Sequence, residues 1–167
     1  MIYEMTGDIL LSHAVAIAHG IAPNDHFDSG LALALRDRWP AMVRDFRHWA
    51  RAHHPKPGTL FVWGGTHHEG GGTEIISLLT QDGDHHNDAR PGKATLTNVD
   101  RALRALATQL REAKTASLAL PRLATGVGGL AWSDVEPLVR EHLGALTIPI
   151  YLYTTYRAGI AAAEPRA

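Results

Sequence analysis

Short apolar runs alternating with amphipathic segments constrain this chain more than any other feature. Ala14-Val15-Ala16-Ile17-Ala18 and Ser117-Leu118-Ala119-Leu120 carry no charge, as strands covered on both faces require. Ile2 to Met5, Thr59 to Trp63, Glu74 to Thr80 and Ile148 to Tyr153 read as four more strands, most of them bounded by glycine or proline. Between them lie helical patterns. Residues 30–53 repeat apolar side chains near helical spacing, and Pro40 divides them into two helices. From Asn98 to Ala113, the residues Val99, Ala102, Leu103, Leu106 and Leu110 form one stripe. Ser133 opens a fourth helix with Glu136 in capping-box spacing. About six strands and four helices in alternation imply an α/β fold with helices on both faces of the sheet. At 167 residues this is one domain, and the Ala-rich residues from about Ala158 onward are expected to be frayed.

Composition removes several function classes. With no cysteine, the chain has no thiolate nucleophile, no disulfide framework and no Cys-ligated metal. Sixteen basic residues against seventeen acids give a net charge of −1, so there is no global basic field, and no basic stripe is read as a nucleic-acid surface. No apolar run approaches a membrane span, and the acidic N-terminal residues do not resemble a signal peptide, so a cytoplasmic monomer is expected. Eleven histidines include three adjacent pairs, His53-His54, His67-His68 and His85-His86. None has the spacing of a zinc-binding helix, and neither a functional metal nor a cofactor is expected.

Ligands of such sheets sit beyond the carboxyl ends of strands, which places the loops after Asp8, His19, Thr80 and Leu120 at the site. Taken alone, Gly126-Val127-Gly128-Gly129 is either an anion cradle of backbone N–H groups or a turn that lets strand and helix pack closely. It has neither the dinucleotide-binding nor the P-loop spacing.

Four segments in order resemble a macrodomain. They are Thr6-Gly7-Asp8-Ile9-Leu10; Ala18-His19-Gly20-Ile21 running to Ser29-Gly30-Leu31-Ala32; Ile76-Ser77-Leu78-Leu79-Thr80; and Leu120-Pro121-Arg122-Leu123-Ala124-Thr125-Gly126-Val127-Gly128-Gly129-Leu130-Ala131-Trp132. The resemblance covers residues 1–155, leaving 156–167 as a tail. It is strongest to the branch holding the terminal ADP-ribose protein glycohydrolase and the antitoxins that strip ADP-ribose from DNA. It implies a three-layer α/β/α fold, a mixed sheet of about six strands and an ADP-ribose site. Asp8 would accept the adenine amino group, with the Ile9 N–H beside it and Tyr153 packed against the adenine or its ribose. Gly126 to Gly129 would cradle the diphosphate from one side and the loop from Gly20 to Leu31 from the other. That assigns Gly20, Ile21, Ala22, Ser29, Gly30 and Leu31, together with Thr80, Pro121, Leu123, Thr125, Gly126, Val127, Gly128 and Gly129, to ligand binding.

The chemistry departs from these relatives. Gln81 stands where the branch has a lysine, and Gly128 where it has an aspartate. Neither can act as nucleophile or base. Asp28 or Asp25 is the expected general base for water, with His26 as proton donor. The polar loop 81–88 is an alternative source of catalytic groups, with a plain solvated loop favoured. The expected activity is removal of ADP-ribose from acidic residues of proteins, because an ester leaving group tolerates a weak apparatus. The alternatives are a non-enzymatic ADP-ribose reader, an ADP-ribose 1″-phosphate phosphatase, and removal of ADP-ribose from DNA. The partner is ADP-ribose or an ADP-ribosylated protein or nucleic acid.

Overall fold

A computed structural model describes residues 1–64, 72–83 and 90–166. The elements are β1 (Ile2–Gly7), a 3-10 turn (Ile9–Leu11), β2 (Ala16–Ile21), α1 (Gly30–Arg38), α2 (Pro40–His53), β3 (Leu60–Gly64), β4 (Glu74–Leu79), α3 (Leu96–Glu112), β5 (Leu118–Pro121), α4 (Trp132–Leu143) and β6 (Ile150–Tyr156). The sheet order is β1-β6-β5-β2-β4-β3. All neighbours are parallel except β3 and β4, which pair antiparallel. The five parallel strands β1, β6, β5, β2 and β4 therefore end at one edge of the sheet, and their loops gather there.

Alternation along the strands divides the core into two layers. Ala16, Ala18, Ile76 and Leu78 point to one face and pack with Val99, Leu103 and Leu106 of α3 and Val135 and Val139 of α4. Ile17, Ile21, Ile75 and Leu79 point to the other and pack with Leu35 of α1 and Met42, Val43 and Phe46 of α2. Helices cover both faces, giving three layers. The α3 stripe expected from the spacing is fully inside. Among the described residues no helix is long and apolar enough to cross a membrane.

Three local expectations are corrected. β2 starts at Ala16 rather than Ala14, because Val15 is exposed and its N–H is taken by the Ser117 hydroxyl at 2.9 Å. Helix α4 starts at Trp132, with Ala131 at the N-cap, so Ser133 is inside the first turn and makes no cap. The tail is not frayed. Residues 157–165 fold back on the body: Ile160 accepts the Asp8 N–H at 2.7 Å, and the Glu164 carboxylate accepts from the Ser12 hydroxyl, the His13 N–H and the Tyr153 hydroxyl at 2.6, 2.8 and 2.8 Å. Polar anchors hold what Ala-rich composition alone does not.

Candidate active site

Among the described residues, two cavities at the carboxyl ends of the parallel strands share Gly30, Leu31 and Pro121. Together they form one bent cleft between the start of α1 and the end of β5. The first arm, about 400 Å³, is mainly apolar and is lined by Gly7, Asp8, Ile9, Leu10, Ala34, Tyr153 and Tyr156. The second, about 320 Å³, lies over the end of β2 and under the glycine run.

Among the described residues, Asp8 is the one charged side chain that lines the first arm. It caps the 3-10 turn, with Oδ1 accepting the Leu10 N–H at 3.0 Å and Oδ2 accepting the Gly159 N–H at 2.9 Å. Two carboxylate lone pairs remain for a ligand. The wall beside it is Tyr153. Burial and the hydrogen bond to Glu164 push its phenol pKa far above the usual value, so it stays neutral.

At the bend, two sets of backbone donors meet. Helix α1 begins at Gly30 in left-handed geometry (φ 56°), and Ser29 at its N-cap makes no side-chain cap. The N–H groups of Gly30, Leu31 and Ala32 therefore have no acceptor among the described residues. Opposite them, the N–H groups of Gly126, Val127 and Gly128 take no acceptor among the described residues. This loop is held from behind: Gly129 donates to the Gly126 carbonyl, Leu130 to Ala124 and Ala94 to Gly128, each at 3.0 Å. Gly128 cannot be replaced without movement, since a Cβ there would lie 2.7 Å from the Ala124 carbonyl. The arrangement suits an anion held by dipoles rather than by a lysine.

The second arm is closed by the loop between β2 and α1. Phe27 anchors it, fully buried in left-handed geometry (φ 54°), with its ring 5.4 Å from Phe46 and 6.1 Å from His19. Asp25 lines the cavity, but its carboxylate is committed to the loop, accepting from Ala22 at 3.1 Å and Phe27 at 2.9 Å. Asp28 also lines the cavity, is exposed, and takes no hydrogen-bond partner among the described residues. His19 forms part of the floor. It is 2% exposed, its Nε2 bonds the Ser77 hydroxyl at 2.7 Å, and burial holds its pKa down to about 4, so the ring is neutral.

The expected site residues divide cleanly. Asp8, Ile9 and Tyr153 line the first arm; Gly30, Leu31 and Pro121 line both; Gly20, Ile21, Asp25, Asp28, Ser29, Leu123, Gly126, Val127 and Gly128 line the second. Ala22, His26, Thr80, Thr125 and Gly129 line neither. Thr80 is fully buried behind Gly20, where a Cβ would meet its hydroxyl at 2.7 Å. The Thr125 hydroxyl closes a turn onto the Arg122 carbonyl at 3.0 Å. Gly129 turns toward Lys93, and His26 is exposed, with its carbonyl accepting from Arg47 at 3.2 Å. Gln81 lines the second arm, yet its amide is spent on the Gly92 carbonyl at 2.9 Å. The expectation about loop 81–88 falls mostly outside the described residues, as do His67-His68 and His85-His86.

Sequence reasoning missed two features. Arg122 lines the second arm, with its guanidinium 5.7 Å from the Trp132 ring; the Pro-Arg-Leu motif was the available signal. The exposed face of α2 carries Arg44, Arg47 and Arg51 in one row. Among the described residues, Asp100, Glu141 and His142 could gather an ion, but none lines the cleft, and His142 Nε2 already bonds Asp100 at 2.7 Å.

No family model matches the chain. A DNA ADP-ribosyl glycohydrolase of Mycobacterium tuberculosis (strain ATCC 25618 / H37Rv) is 32% identical over 136 residues, covering 81% of this chain and 37% of that protein. The chain thus spans well under half the length of that curated relative. The macrodomain of Mycobacterium tuberculosis DarG superposes with a TM-score of 0.79 at 25% identity, covering 93% of this chain and 99% of that one. Thermosipho africanus DarTG in complex with ADP-ribose superposes with a TM-score of 0.80 at 20% identity, covering 96% of this chain and 42% of that one.

Proposed function

The chain belongs to the macrodomains, and from that premise we propose that it binds ADP-ribose in the bent cleft and hydrolyses the bond joining ADP-ribose to a nucleic-acid base. The observation that carries this reading is the cleft itself. It offers an apolar arm ending in one carboxylate, a bend lined by unspent N–H groups, and a second arm with a free carboxylate at its rim. These suit an adenosine, a diphosphate and a distal ribose in that order.

In this reading the adenine amino group donates to Asp8, and the diphosphate lies between Gly126–Gly128 and the start of α1. That sets the distal ribose beside Asp28. Water attacks C1″ as Asp28 takes its proton, the bond from C1″ to the leaving group breaks, and the proton held by Asp28 passes through solvent to the leaving group, restoring the carboxylate. Asp25 serves as the loop's internal brace. With Gln81 and Gly128 in those slots, the scheme uses neither a lysine nucleophile nor an aspartate of the glycine loop.

The relatives favour the nucleic-acid adduct over the acyl-linked protein adduct expected from composition and leaving-group chemistry. The experiment is release of free ADP-ribose from an ADP-ribosylated single-stranded oligonucleotide, followed with and without EDTA, with a glutamate-ADP-ribosylated protein in parallel. Release from the oligonucleotide, insensitive to EDTA and lost in Asp28→Asn, supports the proposal. Binding of ADP-ribose without release from either substrate identifies a reader, the reading favoured by Gln81 and Gly128.

A further inference from the structure

We infer that the exposed face of α2, carrying Arg44, Arg47 and Arg51, receives the phosphate backbone of the nucleic acid whose ADP-ribose occupies the cleft. The inference rests on the nucleic-acid reading above and adds where the polymer lies. Between Arg36 and Lys56 six basic residues face two acids, a surplus of four in a chain whose net charge is −1. Folding concentrates that surplus. Met42, Val43, Phe46 and Ala50 turn into the core, which sends Arg44, Arg47, His48 and Arg51 to the opposite side, all exposed. Arg44 and Arg51 are about 10.5 Å apart along the helix axis, with Arg47 between them on the same face.

Apart from Arg47, which donates to the His26 carbonyl, the guanidiniums of the row have no hydrogen bond or ion pair among the described residues. None of the three guanidiniums pairs with a carboxylate among the described residues, and the nearby Asp45 carboxylate is occupied by the Trp63 indole N–H at 2.8 Å. Two other exposed arginines do pair with carboxylates, Arg104 with Asp100 at 3.4 Å and Arg140 with Glu4 and Glu136 at 3.2 and 3.6 Å. Like charges three and four residues apart repel in a helix, so a merely solvated face would mix its signs as α3 and α4 do. An unpaired basic row suits a polyanion.

Its position relative to the cleft is the second support. Arg47 donates from Nη2 to the His26 carbonyl at 3.2 Å, in the loop whose Asp25 and Asp28 line the second arm. A strand carrying ADP-ribose would leave the cleft past this loop and meet the row directly. His48 extends the same surface.

The test uses the whole chain and the paired variant Arg44→Glu with Arg51→Glu, which leaves Arg47 to hold the loop. Binding of an unmodified single-stranded oligonucleotide is followed by fluorescence anisotropy between 50 and 200 mM salt. Turnover of the ADP-ribosylated oligonucleotide and calorimetric binding of free ADP-ribose are measured alongside. The expected result is an unchanged ADP-ribose affinity and kcat, a KM about tenfold higher at 50 mM salt, and a log–log salt slope smaller by about 1.4 for two lost phosphate contacts. The neutral pair Arg44→Gln with Arg51→Gln, which preserves helix propensity, should fall between. Equal anisotropy slopes in wild type and both variants overturn the inference. If wild type releases no ADP-ribose from the oligonucleotide, the hydrolase reading fails, and the anisotropy slopes still decide the surface. A KM change confined to an ADP-ribosylated protein also overturns it.

Discussion

Oδ2 of Asp8 accepts the backbone N–H of Gly159 at 2.9 Å, so a residue 151 positions away holds the carboxylate of the apolar arm of the cleft. The same contact is doubled by the Asp8 N–H on the Ile160 carbonyl. Gly7 leaves no room for a side chain between them, since a Cβ there would lie 2.8 Å from Ile160 O. Glu164 then ties the segment to Ser12, His13 and Tyr153. Glu164→Ala removes three charge-assisted hydrogen bonds at a half-buried position. It should cost about 2 kcal/mol, seen as a melting temperature lower by roughly 4–8 °C, and should weaken ADP-ribose binding severalfold as Asp8 and Tyr153 loosen. Unchanged melting and affinity would show that the tail is not part of the site.

The two carboxylates of the second arm should separate by kinetics. Asp28→Asn removes the free base, and turnover should drop by about 10²-fold or more while ADP-ribose affinity in calorimetry stays within about threefold. Asp25→Ala unties two backbone amides and releases the loop that Phe27 holds in left-handed geometry. It should raise KM and lower the melting temperature together. Loss of turnover in Asp25→Ala with stability and KM intact would assign the base to Asp25 instead.

Legibility in the sequence followed the range of the interaction. The α3 stripe, the break at Pro40 and the buried runs of β2 and β5 were readable because periodicity and proline act within a few residues. The tail was not: its anchors are side chains and carbonyls far away in sequence, and Ala-rich composition hides them. Thr80, Ala22 and Gly129 are adjacent in sequence to residues that line the cleft but turn their side chains or Cβ positions away from it. The row of arginines on α2 escaped because charge was read along the chain, where Asp37 and Asp45 interrupt it, rather than around the helix.

Gly128 occupies the slot where the resemblance expects an aspartate, and the backbone explains why it cannot simply be restored. A Cβ there would press on the Ala124 carbonyl at 2.7 Å and on the Ala124 Cα and the Ala94 Cβ at 3.0 Å, two of them rigid backbone atoms. Gly128→Ala should therefore cost about 1–3 kcal/mol and displace the loop whose N–H groups face the bend, weakening ADP-ribose binding at least tenfold. Gly128→Asp should be no better than Gly128→Ala. A gain of turnover in Gly128→Asp without loss of stability would mean the loop adjusts freely.

His19 should make the fold acid-sensitive. Buried between the sheet and Phe27, with Nε2 on Ser77, the ring is neutral, and its pKa of about 4 lies below the ordinary 6.5. Its folded pKa is depressed, so the unfolded chain takes up a proton at His19 before the folded chain does. The contribution is fully present above about pH 6.5. It diminishes as the pH falls and is lost by about pH 4, amounting to roughly 3 kcal/mol across that window. Urea unfolding at pH 7.5, 6, 5 and 4 should show that decline. His19→Gln, whose amide reaches Ser77 as Nε2 does, should flatten it while lowering stability at pH 7.5 only modestly. An equally steep decline in His19→Gln would place the acid sensitivity elsewhere.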